Sequence, residues 1–553
     1  MRYVLSLALL SSLLGLAAAP PTARACGGLF CNGAQPVNQS AERILFAENG
    51  DGTVTAVIEI LYEGPSEKFS WVLPVPGEPV VGISSTTALD RLQAQTNPQY
   101  QLQTSFAECG DDGDRATSSR GGPGSLNAGA GSEQGGVNVL AAGTVGPFDY
   151  QLIGVDAELP DPADAAVMWL EKEGYDVTAL GPAVLGPYLA NGLNLIAFRL
   201  NKSSMTGSIR PITITYESER PFIPIRPTAV AANDDMGVMV WVAAGKRAIP
   251  DNYKALELNE ALIDWFNPMS TYNDVVSAAA NEAGGQGFVT EFAGATSPLD
   301  GIIVQDFESQ QWQRIATQTS LSVLLTEFLG TFRGWDGVND ALAATVTLPA
   351  GVSIEDFLGC TQCYMQDPAF KADVDAVRKE LFEKVFKPMA DTEALLQSRP
   401  YVTRLYTTMS AKEMTLDPAF NFNGDLGDFS NIHVATRTFG CDESWKIELA
   451  QGDVVYGEPG AVWPTEDMDG QPAALRIMQL SATGKGTVVK DNTKRVTQLL
   501  KQSDSGNSAR FNGGDNDGCH VAQPGGSWPA HGAVALVLLA AACLGFRRRR
   551  RLS

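Results

Sequence analysis

Apolar segments stand at both ends of this 553-residue chain, and together they dictate where everything between them has to fold. The first reads Met1-Arg2, then an apolar run from Val4 to Leu16, then small residues closing on Ala23-Arg24-Ala25. A charged start, an apolar stretch and an A-x-A exit are the parts of a secretory signal, so residues 1–25 are expected to be removed between Ala25 and Cys26. Lipidation of Cys26 is the weaker alternative, because the bulky Arg24 lies within the positions that such a signal keeps small or aliphatic. The second segment runs from Gly532 to Phe546 and is followed at once by Arg547, Arg548, Arg549, Arg550 and Arg551. As a helix it spans roughly 22 Å, or about 28 Å if extended back to Trp528, close to the ~30 Å of a hydrocarbon core. A buried core helix does not end in five arginines, and positive charge stays on the cytoplasmic side. Residues 532–546 are therefore expected to be a single transmembrane segment, with 547–553 a basic cytoplasmic tail and the body extracytoplasmic.

Export changes how the eight cysteines are read. In an oxidising compartment, Cys26 with Cys31 and Cys360 with Cys363 are expected to be disulfides rather than metal ligands. Cys109 and Cys441 remain in the body as candidates for another pair, although spacing alone does not decide connectivity. Charge excludes a class of partner. With the arginines of the two end segments set aside, the body carries about 30 negative charges in excess, a field that repels nucleic acid and anionic lipid. Solubility, or a cation-rich partner, accounts for such a balance better.

Within the body the apolar periodicity changes along the chain. Ile44 to Ala47 and Thr53 to Tyr62 flank Asn49-Gly50-Asp51-Gly52, a hairpin turn signal. The acidic Asp51 belongs to that turn, since the spacing lacks a calcium-binding loop. Further strands are expected at Phe69 to Val75, Pro147 to Val155, Leu193 to Leu200, Ile209 to Glu217 and Met236 to Ala243, the last buried on both faces. Helices are expected at Ala88 to Gln95 and Pro162 to Gly174. The Gly/Ser-rich stretch 110–146 reads as a disordered insertion. These elements define an α+β sheet domain over 26–250. From there Leu256, Asn259, Leu262, Ile263 and Phe266 suggest helical spacing, as do Val374, Val377, Leu381, Phe382 and Val385. A mainly helical region is thus expected over 251–410, with helices at Asn252 to Phe266, Leu321 to Phe332 and Lys371 to Gln397, the last interrupted at Pro388. Short strands and turns follow over 411–502, and a Gly/Asn/Asp-rich linker occupies 503–531.

Several runs in this chain resemble a known family. Ala25-Cys-Gly-Gly-Leu-Phe-Cys31, Pro36-Val-Asn-Gln39, Phe69-Ser-Trp-Val-Leu-Pro-Val-Pro76, Ala231-Ala-Asn-Asp-Asp235 and Arg404-Leu-Tyr-Thr-Thr-Met409 look like the bacterial DUF2330 family. That resemblance implies an extracytoplasmic protein and supplies no reaction and no catalytic residues. The C-terminal order of flexible linker, Cys519, short apolar helix and terminal arginines resembles the MYXO-CTERM sorting tails of surface proteins. It implies that Cys519 is the processing residue and that tail-sorting machinery acts alongside the export machinery.

No catalytic constellation stands out. His433 is the one histidine in the expected folded body, so histidine-rich zinc sites are excluded by count and a triad has to use His433. Its setting, Ser430-Asn431-Ile432-His433-Val434, alternates like a strand and suggests a hydrogen-bonded, half-buried imidazole. Cys360-Thr361-Gln362-Cys363 has redox-motif spacing but lacks a preceding βαβ pattern, which favours a structural disulfide. Asp234 and Asp235 are weak candidates for metal or acid chemistry, and Trp241, Trp265, Trp312 and Trp335 are expected in cores. No cofactor is implied. The expected function is a non-enzymatic, membrane- or surface-attached envelope protein that binds an envelope component or plays a structural role. The alternative is an extracytoplasmic hydrolase or thiol oxidoreductase. A cleft with converging Asp, Tyr or His433 side chains would favour the alternative, and a flat apolar patch would favour binding.

Overall fold

A computed structural model describes residues 38–63, 70–107, 137–156, 158–173, 175, 181–200, 210–460, 462–464, 470–503, 508 and 511. Ala25, Cys26, Cys31, Cys109, Cys519 and Arg547 to Arg551 lie outside these residues, as does the expected transmembrane segment. Among the described residues no helix is long and apolar enough to cross a membrane.

The described part begins with the hairpin β1 (Asn38–Glu48) and β2 (Thr53–Glu63), where Asp51 accepts from the backbone and hydroxyl of Thr53 and so closes the turn. Next come β3 (Ser70–Val75), β4 (Val80–Ile83), α1 (Thr86–Thr96), β5 (Gln99–Phe106), β6 (Val137–Val145) and β7 (Phe148–Val155). Helices α2 (Pro162–Lys172) and α3 (Gly181–Ala190) precede β8 (Asn194–Leu200), β9 (Ile212–Glu217), β10 (Ala232–Ala244), β11 (Arg247–Pro250) and β12 (Lys254–Leu258). Helix α4 (Tyr272–Glu282) leads into β13 (Gly287–Ala295) and then a helical stretch: α5 (Asp306–Ile315), α6 (Leu321–Phe332) and α7 (Val338–Ala343). The two-residue strands β14 (Val346–Thr347) and β15 (Lys371–Ala372) bracket α8 (Ile354–Gly359) and α9 (Thr361–Met365). After α10 (Val374–Leu381) and α11 (Lys387–Gln397) come β16 (Tyr401–Met409), β17 (Phe420–Asn423), β18 (Ile432–Phe439), β19 (Trp445–Glu448) and β20 (Val454–Gly457). Strands β21 (Ala474–Gln479) and β22 (Thr487–Asp491) and helix α12 (Thr493–Ser503) complete it.

Ten strands form one sheet in the order β22-β21-β12-β13-β16-β10-β1-β2-β9-β4. At its middle, β10 pairs in parallel with β1 and antiparallel with β16. Its unbroken apolar run from Val238 to Ala244 is what a strand covered on both faces requires. On one face, Ile44, Phe46, Ala56 and Val240 pack against Trp71, Leu73, Phe148 and Phe198 of a second sheet, β3-β8-β7-β6, whose outer side is covered by α2 and α3. On the opposite face, Leu45, Val57, Trp241 and Val402 meet α1 and α5 to α11. The result is a mixed α+β body, sheet-rich toward its N-terminal part, layered as helices, sheet, sheet and helices.

Several expectations change. The sheet takes strands from both sides of residue 250, because β12, β13 and β16 join it from the region expected to be mainly helical, and β21 and β22 from the short-strand region beyond. Residues 252–266 are not a helix: Leu256 lies in β12, and only Glu260–Leu262 make a short 3-10 turn. The expected helix over 371–397 is divided ahead of Pro388, which lies in the first turn of α11 and whose missing N–H leaves the preceding turn without an ordinary α-helical bond. The irregularity comes earlier, as a π-helical turn at Phe382–Phe386. The last part of the Gly/Ser-rich stretch is β6, and the region 411–502 ends in α12 rather than in strands and turns.

Candidate functional site

Where β5 and the start of β18 meet the β12–β13 end of the large sheet, the surface opens into a cleft of about 470 Å³, within the usual range for ligand sites. Its centre is a stack. β5 and β18 pair in parallel with Tyr100 opposite His433, and the two rings lie 4.7 Å apart, 16° from parallel. The entry to β18 is fixed by Phe429, whose backbone exchanges hydrogen bonds of 2.7 and 2.8 Å with Ala293 of β13.

Glu260 reaches His433 from the 3-10 turn. Asn259, fully buried, accepts from the Ala261 amide and donates to the Pro472 carbonyl, which holds that turn rigid. Glu260 Oε1 then lies 2.6 Å from His433 Nδ1, with side chains 15% and 17% exposed. A carboxylate can only accept, so Nδ1 carries the proton and the neutral ring keeps its acceptor at Nε2. Burial, and after it the negative charges of Glu260 and Glu291, push the Tyr100 phenol well above its ordinary value. Tyr100 is therefore a neutral donor at every physiological pH.

The floor is a buried polar chain. Tyr272, first residue of α4, donates to Glu291 Oε1 at 2.6 Å, and Arg404 Nε donates to Glu291 Oε2 at 2.5 Å. Arg404 also donates to Thr96 Oγ1, which accepts from Trp241 Nε1, tying the cleft to the middle of the sheet. Burial, then Glu291, raises the Tyr272 phenol. At the mouth, Arg247 donates to the Gly427 carbonyl at 2.7 Å and lies 5.8 Å over the Phe429 ring, while Lys485 is exposed on the turn after β21.

A broader depression of about 560 Å³ beside α5 and α11 has less chemistry to offer. Its Glu393 carboxylate is occupied by the backbone N–H groups of Gly301, Ile303 and Val304.

Of the residues singled out in the sequence, His433 falls in the cleft. Asp234 and Asp235 lie apart and exposed at the start of β10, with Asp235 at φ 52° and its amide on Ser410 Oγ. Among the described residues no three His, Cys, Asp or Glu side chains form a metal-binding group. Cys360 and Cys363 are joined as a disulfide at the α8–α9 junction, exposed and away from the cleft. Cys441 is also disulfide-bonded, to a partner outside the described residues. Trp241, Trp265, Trp312 and Trp335 are all buried. Sequence reading missed Tyr100, Glu260, Tyr272, Glu291 and Arg247, which come from separate segments. Arg404 opens a run already noted for its resemblance, and that was the available signal.

The arrangement defines a mixed α+β protein with a polar, aromatic-lined cleft. The family model described as "Uncharacterized protein conserved in bacteria (DUF2330)" matches residues 20–323, more than half of the chain, and the protein belongs to that family. The match ends within α6, so the cleft joins Tyr100, Glu260 and Glu291 from the matched part to His433 and Lys485 beyond it. No curated protein and no solved structure matches this chain.

Proposed function

We propose that this is an exported envelope protein whose body holds a ligand of the envelope in the Tyr100–His433 cleft, as a binding rather than a catalytic component. The observation that carries the reading is the fixed stack of Tyr100 on His433 with Glu260 behind it. A ring face, a phenol donor and an imidazole acceptor converge there without needing to be assembled by the ligand, and such preorganisation lowers the ordering cost of binding. Export is supported by the signal-like residues 1–25 and by the disulfides at Cys360–Cys363 and Cys441, which belong to an oxidising compartment. Attachment to the membrane or cell surface rests on residues 532–551. The finer reading, a sorting tail processed at Cys519, rests on the order of linker, cysteine, apolar run and arginines.

A second reading is favoured by one contact. With Nδ1 held by Glu260, the free Nε2 of His433 is placed to take a proton from a bound water or hydroxyl, as in a hydrolase.

Native mass spectrometry of the protein taken from its own envelope tests both. A bound species should be retained by the wild type and lost in Tyr100→Ala and His433→Gln variants that keep their circular dichroism. A species that persists unchanged in both variants refutes the cleft, and one converted over time establishes the second reading. The masses of the two mature ends, read in the same experiment, test cleavage after Ala25 and processing at Cys519.

A further inference from the structure

The charges of the cleft are unevenly spent. Three carboxylates line it, and each already has a partner. Glu257 pairs with Arg476 at 2.8 Å, Glu260 accepts from the His433 imidazole at 2.6 Å, and Glu291 pairs with Arg404 at 2.5 Å while also accepting from Tyr272. The two cations that line the cleft have no such carboxylate. Neither Arg247 nor Lys485 lies within 4.0 Å of a carboxylate among the described residues. Asp428, whose charge acts on Arg247, accepts from the Tyr401 hydroxyl, and Asp425 accepts from the Gly484 amide next to Lys485.

Arg247 is also the less hydrated of the two cations. Its Nε is buried without a hydrogen-bond partner, and its guanidinium carbon stands over the Phe429 ring. Burial lowers its pKa, an effect that Tyr401 and Asp428 partly offset. A guanidinium taken partly out of water without a carboxylate in direct contact is costly, and an incoming anion removes that cost. Beyond these polar groups the wall is apolar, with Leu256, Leu258, Val289 and Met478 facing the same space.

We infer that the ligand of this cleft is an amphiphilic acid, its carboxylate or phosphate held by Arg247 and Lys485 and its ring or apolar body laid against Phe429, His433 and Tyr100. The inference rests on the cleft reading above and specifies its ligand class. It also runs against the protein's overall charge: an acidic chain presents two cations without carboxylate partners to an anion.

Calorimetric titration of the full chain in neutral detergent tests it, with phenyl phosphate, inorganic phosphate and benzyl alcohol as probes. Phenyl phosphate should bind saturably, at least about tenfold more tightly than benzyl alcohol, and weaken about tenfold in Arg247→Gln, with partial recovery in Arg247→Lys and a smaller loss in Lys485→Gln. Inorganic phosphate binding as tightly as phenyl phosphate would identify a free anion and overturn the amphiphilic part. Phenyl phosphate that fails to bind in the millimolar range, or binds no better than benzyl alcohol, overturns the inference. The cleft reading fails separately, if phenyl phosphate binds but is indifferent to Tyr100→Ala and His433→Gln. It survives alone if benzyl alcohol binding depends on Tyr100 and not on Arg247.

Discussion

Glu291 and Arg404 form an ion pair at 2.5 Å with side chains 1% and 2% exposed, across neighbouring strands of the large sheet. Removing one partner leaves the other charge buried and unanswered, at a cost of about 3 to 5 kcal/mol. Arg404→Leu and Glu291→Leu are each expected to lower stability in denaturant titrations by that amount, and the double variant by much less than the sum. A loss below about 1 kcal/mol in either single variant would contradict the buried-pair account.

Glu42, 4% exposed, packs in an apolar niche with Ile44, Phe46 and Leu73, and its Oε2 has no hydrogen-bond partner. Burial raises its pKa to about 8. The folded state therefore holds a proton that the unfolded state releases near its ordinary carboxylate value. The group's contribution to stability is fully present below that ordinary value and is lost as the pH rises toward about 8. Glu42→Gln should be close to wild type at pH 4 to 5 and become more stable than it by an amount on the order of a few kcal/mol near pH 8. Melting curves that differ by a constant amount across this range would refute the prediction.

The Glu260 contact fixes the tautomer of His433. Nitrogen NMR of the neutral imidazole should show the proton on Nδ1 in the wild type and a shift toward Nε2–H in Glu260→Leu. The chain has three histidines, which keeps the assignment simple. A wild-type Nε2–H signal would rule out the free acceptor on which the hydrolytic reading depends.

Phe106 lies opposite Phe439 in the parallel β5–β18 pair, and the Ala107 amide donates to the Phe439 carbonyl. In a parallel pair the two chains run in the same direction, and Cys441, two residues after Phe439, is disulfide-bonded. Non-reduced peptide mapping is expected to recover a Cys109–Cys441 link beside Cys360–Cys363. A free thiol at Cys109 would assign Cys441 to another partner.

Much of the fold was legible where local chemistry acts alone. The Asn49–Gly52 turn announced β1 and β2, and the apolar stretch Met236 to Ala243 announced a strand covered on both faces, which is part of β10. Failure came where a short strand runs into a 3-10 turn. In β12 and the residues after it, apolar positions fall at helix-like intervals although five of the residues are extended, and periodicity cannot separate the two over so short a span. β6 was hidden by the Gly/Ser-rich composition upstream of it. The cleft was legible only at His433. Tyr100, Glu260 and Glu291 carry no local motif, and what brings them together is the pairing of β5 with β18 and of β12 with β13.

The middle of the large sheet sets the order of events in the molecule's assembly. β1 spans residues 38–48, its parallel partner β10 spans 232–244, and β16, which closes the other side of β10, spans 401–409. A chain that emerges N-terminus first can form the β1–β2 hairpin early but has to wait for about 350 further residues before β16 closes the other side of β10. Until then Trp241 and the Leu45 and Val57 face of β1 and β2 lack their full cover, so this protein's nascent period is the time at which a holding chaperone matters most.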